Sequence, residues 1–488
     1  MSKTYIEPAN TLPVYDECDV LVVGGGAAGH SAAVAAARAG ANVIVMERYG
    51  YFGGDVTGAY VLLVPALNFH KHSVIRGVVE EWFTRMEKNA PETVIGPDYK
   101  YVWREDVPHI VDHYKKYEGC VQERFGPVVP VRSLFFEPTT LKLEMDAMVQ
   151  EEKNIKALLH CWGTKPIVED GKVKGVIFES KAGRQVVYAK VVIDATGDGD
   201  IYSQCTEFFG PSGVDDYDHR DGQTSLVWRC GGVNYSEFAK LRVENGGKGW
   251  MPWLKELWEV AGYKTIPFTT GREGVLWFNN WILQKNCINL DDIRETEFIT
   301  RNSIRPILEY CKKTFPEAFA NAYLYDIAPQ LGVRGSRRLK GETIVTRLDF
   351  ACNRAFDDVI AWHPVIGSPA PIEIPYSCMI PQTIDNLICP GRHLSADELA
   401  VGSLHLIPEC AGTGQAAGVA AAVACADGTT AKTVDIKKVQ KILCEEQDVP
   451  LPRQANTNKE LVEELEAINY GRDFEFNKTI RQKAGLDW

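Results

Sequence analysis

The sequence predicts an α/β protein: a parallel sheet with an attached β-meander, interrupted by an α+β domain. Three stretches predict it. Residues 19–48 read DVLVVGGGAAGHSAAVAAARAGANVIVMER. Residues 172–194 alternate apolar and polar positions and run into a second glycine cluster. Most of the tryptophans fall between about 215 and 375.

In the first stretch the apolar run Val20–Val23 reads as a buried strand. It feeds a turn with Gly24, Gly26 and Gly29 at G-x-G-x-x-G spacing, an Ala-rich helix to about Ala39, and a second strand, Val43–Met46, ending on Glu47. Each part has a task in a Rossmann-like dinucleotide site. Gly24 permits the tight turn, Gly26 lets backbone approach a pyrophosphate, and Gly29 lets the helix pack on the strand. The helix start offers free N–H groups and a positive dipole end to phosphates. Glu47 stands where a carboxylate accepts hydrogen bonds from a ribose hydroxyl.

The stretch Glu47–Pro65 is dense in glycine and aromatics. Helices follow from about Ile75 to Lys88 and from Leu141 to Glu152, within a helical excursion over about 66–150. KVKGVIFES, a turn at Ala182-Gly183 and RQVVYAKVVID predict a hairpin whose second strand continues into the buried Val191–Ile193. In ATGDGD, Asp194 ends that strand, Gly197 and Gly199 permit a tight turn, and Asp198 either caps the next helix or touches the cofactor. A composition shift at Gly210–Gly213 opens the second domain, with a long helix at Asp291–Lys313. NGGKG at 245–249 lacks a preceding strand and reads as a loop. A strand at Asn386–Cys389 returns the chain to the first sheet. GTGQAAG then opens a small-residue helix at Thr413–Ala426, suited to close approach of a flat ring, a sheet or both. The expected organisation is 1–214 and 379–430 for the nucleotide half, 215–378 for the substrate or cap domain, and 431–488 for a C-terminal helical tail.

Composition narrows the function. The net charge of −12 argues against a nucleic-acid partner. The first nineteen residues lack an apolar h-region, and the apolar stretch Ala416–Ala426 is too short to span a bilayer, so no membrane insertion and a cytoplasmic location are expected. The 13 cysteines include no C-x-x-C pair, which excludes a readable zinc or iron–sulfur motif and fits reduced thiols. The sequons at Asn234 and Asn477 are then chance matches.

The glycine clusters and several longer segments resemble the FAD-dependent oxidoreductase family related to the fumarate reductase and succinate dehydrogenase flavoproteins. Its FAD fold is the glutathione-reductase-like one. The resemblance rests on VGGGAAG with Glu47, FGGDVTG at Phe52–Gly58, DATGDGD, QTSLVWRCGGV at Gln223–Val233, APQLGVRGSRRLKGE at Ala328–Glu342, and NLICPGRHLSADELAVGSLHLIPECAGTGQAAG at Asn386–Gly418. It implies FAD as cofactor. By carry-over, Gly24, Gly26, Ala28, Gly29, Glu47 and Arg48 hold the adenosine diphosphate. Gly53, Gly54 and Thr57 lie near the flavin middle, and Asp194, Gly197 and Asp198 from the second cluster are also expected to bind the cofactor. Gly391, Arg392, Gly414, Gln415 and Ala417 lie near the ring. No histidine lies between Glu47 and Phe52, where the fumarate-reductase branch links FAD covalently, so non-covalent flavin is expected. No second G-x-G-x-x-G follows a strand, so electrons are expected to come from the substrate, a diffusing donor or acceptor, or a partner protein.

Departures from the family pattern point at substrate chemistry. Asp397-Glu398 stand where many relatives carry Thr-His, Gly335 where many carry Glu, and His405 where many carry Arg; FNNWIL at Phe278–Leu283 gains Trp281 and lacks an arginine. Losing arginines removes bidentate partners for carboxylates, and aromatics add flat apolar surface. The expected substrate is small, neutral, and cyclic or aromatic. His405 is the first catalytic candidate, with Glu398 and Asp397 as rival acids or bases. Arg334, Arg337 and Arg338 bind flavin, substrate or a buried carboxylate, at least one of them structurally. Tyr60 is a further candidate or a packing residue. The leading function is hydride transfer between flavin N5 and such a substrate. A flavin-bearing subunit of an electron-transfer complex, a reductase of an unsaturated carboxylate and an FAD-dependent RNA-modifying protein are the rivals. Homo-oligomerisation stays open.

Overall fold

The computed structural model describes residues 4–64, 68–69, 72–95, 134–210, 224–243, 253–270, 272–282, 285–351, 354–363, 371–451, 459–460 and 463. The expected loop at 245–249, residues 96–133 of the expected helical excursion, the Gln223 and Leu283 ends of their motifs and most of the C-terminal tail lie outside the described residues.

The chain begins with β1 (Val14–Val23), α1 (Ala27–Arg38) and β2 (Val43–Glu47). Helices α2 (Val78–Asn89) and α3 (Pro138–Glu151) follow. Strands β3 (Ile155–Leu159), β4 (Trp162–Glu169), β5 (Lys172–Ser180) and β6 (Gly183–Asp194) come next. β1 pairs in parallel with both β2 and β6, and β2 pairs in parallel with β3. β6 has two roles along its length. Its first half continues the antiparallel β4–β5 meander, and its last residues, Val192 and Ile193, pair in parallel with Leu387 and Ile388. Continuous apolar runs in β1, β2 and β6 are what a sheet covered on both faces requires; Val20–Val23 and Val43–Met46 are buried.

A second, antiparallel sheet holds β7 (Trp228–Gly231), β8 (Lys264–Thr269), β9 (Leu276–Trp281) and, after the long helix α4 (Leu290–Thr314), β10 (Tyr323–Ile327). Its order is β8–β9–β7–β10. It has a separate aromatic core in which Trp228 stacks on Phe278 at 3.9 Å. The hairpin β11 (Val359–His363) and β12 (Ile372–Pro375), although within 215–378, packs in the first core with the nucleotide half.

The chain then returns to the parallel sheet as β13 (Leu387–Ile388) and continues as α5 (Glu398–Leu404), α6 (Ile407–Asp427) and α7 (Ile436–Glu445). α6 starts six residues before the expected Thr413. Pro408 lies in its first turn, where a missing N–H costs nothing, so the proline opens the helix instead of ending it. GTGQAAG therefore lies inside α6, and Gly414 and Gly418 serve packing: a Cβ on them would lie 2.1 Å from Ala28 O and 2.2 Å from Ala32 O of α1. The alanine-rich α1 and α6 approach this closely because neither carries bulk at the crossing.

Candidate active site

The glycine turn after β1 separates two causes for glycine. Gly24 has φ +98°, and a Cβ there would lie 2.4 Å from Ala195 O; a Cβ on Gly29 would lie 1.7 Å from Gly24 O. The fold itself demands both. Gly26 has an ordinary φ of −66°. A Cβ on it would meet nothing closer than Gly54 Cα at 3.9 Å. Gly26 lines a cleft, and no neighbouring atom of the fold requires glycine there.

The cleft runs past the C-terminal ends of β1, β2 and β6 and encloses about 880 Å³, part of it open to solvent. Of the expected cofactor residues, Gly24, Gly26, Ala28, Glu47, Arg48, Gly54, Gly197, Gly391 and Arg392 line it, and so does His405. The Glu47 carboxylate is fixed by two backbone donors: Gly25 N–H to Oε2 at 2.6 Å and Tyr49 N–H to Oε1 at 2.8 Å. Burial raises its pKa despite those donors. The Arg48 guanidinium lies between the rings of Tyr49 and Trp162, 5.0 and 5.5 Å from their centroids, which holds a cation at this end of the cleft.

Arg392 ties three distant segments together at the cleft wall. Nη1 donates to Asp55 Oδ2 at 3.1 Å and Nη2 to both Asp198 oxygens at 3.0 Å. Burial opposes charge on Asp198, but Arg392 and the Ser336 hydroxyl hold its carboxyl below the usual range. Asp198 thus serves this pair and does not cap the next turn. Asp194 does that, accepting from the Ile201 and Tyr202 N–H groups at 3.1 and 2.8 Å. Neither Asp194 nor Asp198 lines the cleft; Asp200 does, and burial together with Asp198 and Asp194 raises it to about 6. Asp55, Asp200, Gln330 and Cys410 line the cleft without having been singled out from sequence. Asp55 and Asp200 carried a signal, each being an acid inside a glycine-rich turn.

At the other end stand His405, Ile407 and Cys410, where α5 gives way to α6. His405 Nδ1 lies 2.9 Å from Val401 O. A carbonyl only accepts, so Nδ1 carries the hydrogen and Nε2 the lone pair of the neutral ring. Burial, with Arg334 and Arg392 adding to it, pushes this histidine down to about 4. Asp397 is the N-cap of α5 and accepts from Ala400 N–H at 2.7 Å and Arg347 N–H at 2.9 Å. Glu398 opens the same helix with both carboxylate oxygens buried. Arg334 lies over Trp281 at 4.8 Å and donates to Asn279 Oδ1 at 3.1 Å. None of these three lines the cleft.

The remaining expected residues also sit elsewhere. Gly53, with φ +107°, packs on Thr57, whose hydroxyl donates to Phe52 O within the turn. Gly414 and Ala417 face helix packing, and Gln415 Oε1 accepts from Val78 N–H at 3.0 Å, satisfying the start of α2. Gln415 is thereby turned to the far side of α6 from the cleft. Arg337 pairs with Asp200, and Arg338 donates to Ala396 O at 2.8 Å. Tyr60, at φ +55°, donates to Asp326 Oδ2. Among the described residues no cluster of His, Cys, Asp or Glu is placed to hold a metal ion, and no helix is long and apolar enough to cross a membrane.

An 84-residue stretch is 38% identical to urocanate reductase from Eggerthella lenta; it covers 17% of this chain and only 13% of that protein. Among solved structures, a geranylgeranyl bacteriochlorophyll reductase-like protein from Thermoplasma acidophilum aligns with 96% of this chain and 87% of its own at 15% identity and a TM-score of 0.40. L-amino acid deaminase from Proteus myxofaciens aligns with 89% of this chain and 95% of its own at 13% identity and a TM-score of 0.42. The sequence pattern of the FAD dependent oxidoreductase family matches residues 19–443, and the chain belongs to that family of FAD-binding enzymes.

Proposed function

We propose that FAD lies in the cleft without a covalent link and that the enzyme transfers hydride between flavin N5 and a small, neutral, cyclic or aromatic molecule. The observation that carries the cofactor's place is Gly26, whose missing side chain no protein atom explains. Glu47 would take the ribose and Arg48 the negative end of the adenosine diphosphate, while Gly391, Arg392, His405, Ile407 and Cys410 would surround the ring. Bound FAD supplies the two-electron chemistry. The protein's residues position the substrate and move its proton. Neutral His405 can receive a proton at Nε2, which suits removal of hydride and proton together from a substrate C–H and O–H or N–H. The arginine inventory supports a neutral substrate: Arg337 pairs with Asp200, Arg392 with Asp55 and Asp198, and Arg338 binds a backbone carbonyl.

A second reading is a reductase of an unsaturated carboxylate. The stretch shared with urocanate reductase favours it, as does Arg334 near His405. Stopped-flow mixing separates the two. Neutral cyclic or phenolic compounds should bleach the oxidised flavin on the first reading. Reoxidation of reduced flavin by unsaturated carboxylates alone supports the second. No flavin response from the purified chain to either panel would leave the electron-transfer subunit as the better description.

A further inference from the structure

Behind the cleft is a buried pair that the reading above does not use. His363 ends β11, and its Nδ1 lies 2.6 Å from Glu409 Oε1. The side chains are 5% and 0% exposed. Glu409 Oε2 is buried and has no hydrogen-bond partner among the described residues. Glu409 belongs to the first turn of α6, the same turn whose Ile407 and Cys410 line the cleft. At helical spacing the Glu409 side chain leaves the opposite face, toward β11.

We propose that the Glu409–His363 pair is a proton acceptor linked to the redox state of the cofactor, taking up one proton when two electrons enter the cleft. The inference rests on FAD lying there. With Glu409 ionised, Nδ1–H of His363 donates to it and the neutral ring keeps a lone pair on Nε2. The pair is then a buried negative charge held at the positive start of α6. Two electrons from a donor, with one proton, complete the change on the flavin and leave one negative charge beside the same helix start. The two like charges oppose each other in a medium of low polarity. A second proton, from solvent, forms an N–H bond at His363 Nε2, neutralises the pair and relieves the repulsion; the conjugate base stays in solvent, and no other bond in the protein forms or breaks. Among the described residues, the charged or titratable groups beside the pair are His405 at the end of α5, Cys410 on α6 and Glu373 on β12; Arg334 and Arg392 act on His405, and Arg392 and Asp55 on Cys410. Burial raises Cys410 to about 12, so it stays a thiol, and Glu373 accepts from Phe356 N–H at 2.6 Å.

The test is the pH dependence of the flavin midpoint potential in the holoenzyme. Each proton taken up changes the equilibrium constant tenfold per pH unit, about 30 mV for a two-electron couple. The wild type should take up two protons per two electrons between pH 6 and 8, and His363→Asn and Glu409→Gln should take up one. A one-proton wild type overturns the proposal, and so do two-proton variants. Infrared difference spectra of the wild type with ring-¹⁵N histidine give an assignment that needs no variant: imidazolium bands must appear on reduction, and their absence overturns it. Failure of the cofactor's placement would show separately, as flavin retained by Gly26→Val.

Discussion

Gly26 and Gly29 are the same residue three positions apart, and they are glycine for opposite reasons. Gly29→Ala must displace the Gly24 carbonyl, so it should cost stability with or without flavin. A Cβ on Gly26 comes no closer than 3.9 Å to Gly54 Cα, so Gly26→Val should leave the apoprotein's melting temperature near wild type while abolishing flavin occupancy. Flavin content after gel filtration, beside the melting temperature of both forms, checks the contrast. Glu47→Ala removes a carboxylate already aimed by two amides and should weaken FAD binding by about 1–3 kcal/mol, the range for a hydrogen bond with a charged partner. His405→Ala should keep FAD and lose roughly 10²–10⁴-fold in turnover. Because the ring is held near 4, it acts in its neutral form, and activity should fall on the acid side as that form is protonated. The variant should lose that acid limb. Near wild-type turnover in His405→Ala would give the residue a structural part instead.

Helices α1, α2 and α3 meet at His30, and their packing fixes its protonation. Trp82 Nε1–H donates to Nδ1 at 3.2 Å, so Nε2 carries the hydrogen and donates to Met145 O at 3.1 Å. Burial pushes this ring down to about 4. An unfolded histidine takes a proton near 6.5, so the contribution of His30 is complete above that pH and is lost as the pH falls through 4. The lost part is up to about 3 kcal/mol. The stability gap between wild type and His30→Gln, from urea unfolding, should therefore narrow between pH 7 and pH 4. A gap independent of pH would mean that the ring is not held neutral. Helices of this kind were legible where their pattern is local. Asp291–Lys313 was placed within one residue at each end. The start of α6 was not, because Pro408 reads equally as a stop or as a first-turn residue until the tertiary neighbours decide.

Across the whole molecule, the cleft was legible where its chemistry is local and illegible where it is not. The spacing Gly24, Gly26, Gly29 and Glu47 is one βαβ unit, and all four sit where that unit predicts. Arg392 meets Asp55 and Asp198 from 337 and 194 positions away, and no sequence period announces such a meeting. This network should matter to stability as much as to binding. Arg392→Ala leaves two largely buried carboxylates without their cation and should cost about 3–5 kcal/mol. Adding Asp198→Asn should recover part of the loss. Equal unfolding midpoints in the single and double variants would count against the network.

The divided pairing of β6 has a consequence for how the enzyme is made. The meander on its first half can close as soon as residue 194 leaves the ribosome, whereas its last residues wait for Leu387 and Ile388. The cleft needs still more, up to Cys410. At roughly 5–20 residues per second, synthesis leaves that strand end without its neighbour for about 10–40 s. During this interval a nascent chain offers an apolar parallel edge to any similar strand nearby. Flavin cannot protect it, since the pocket does not yet exist. Ribosome-stalled chains ending near residue 380 should bind no FAD and engage holdase chaperones, while chains with residue 430 clear of the exit tunnel should do the reverse.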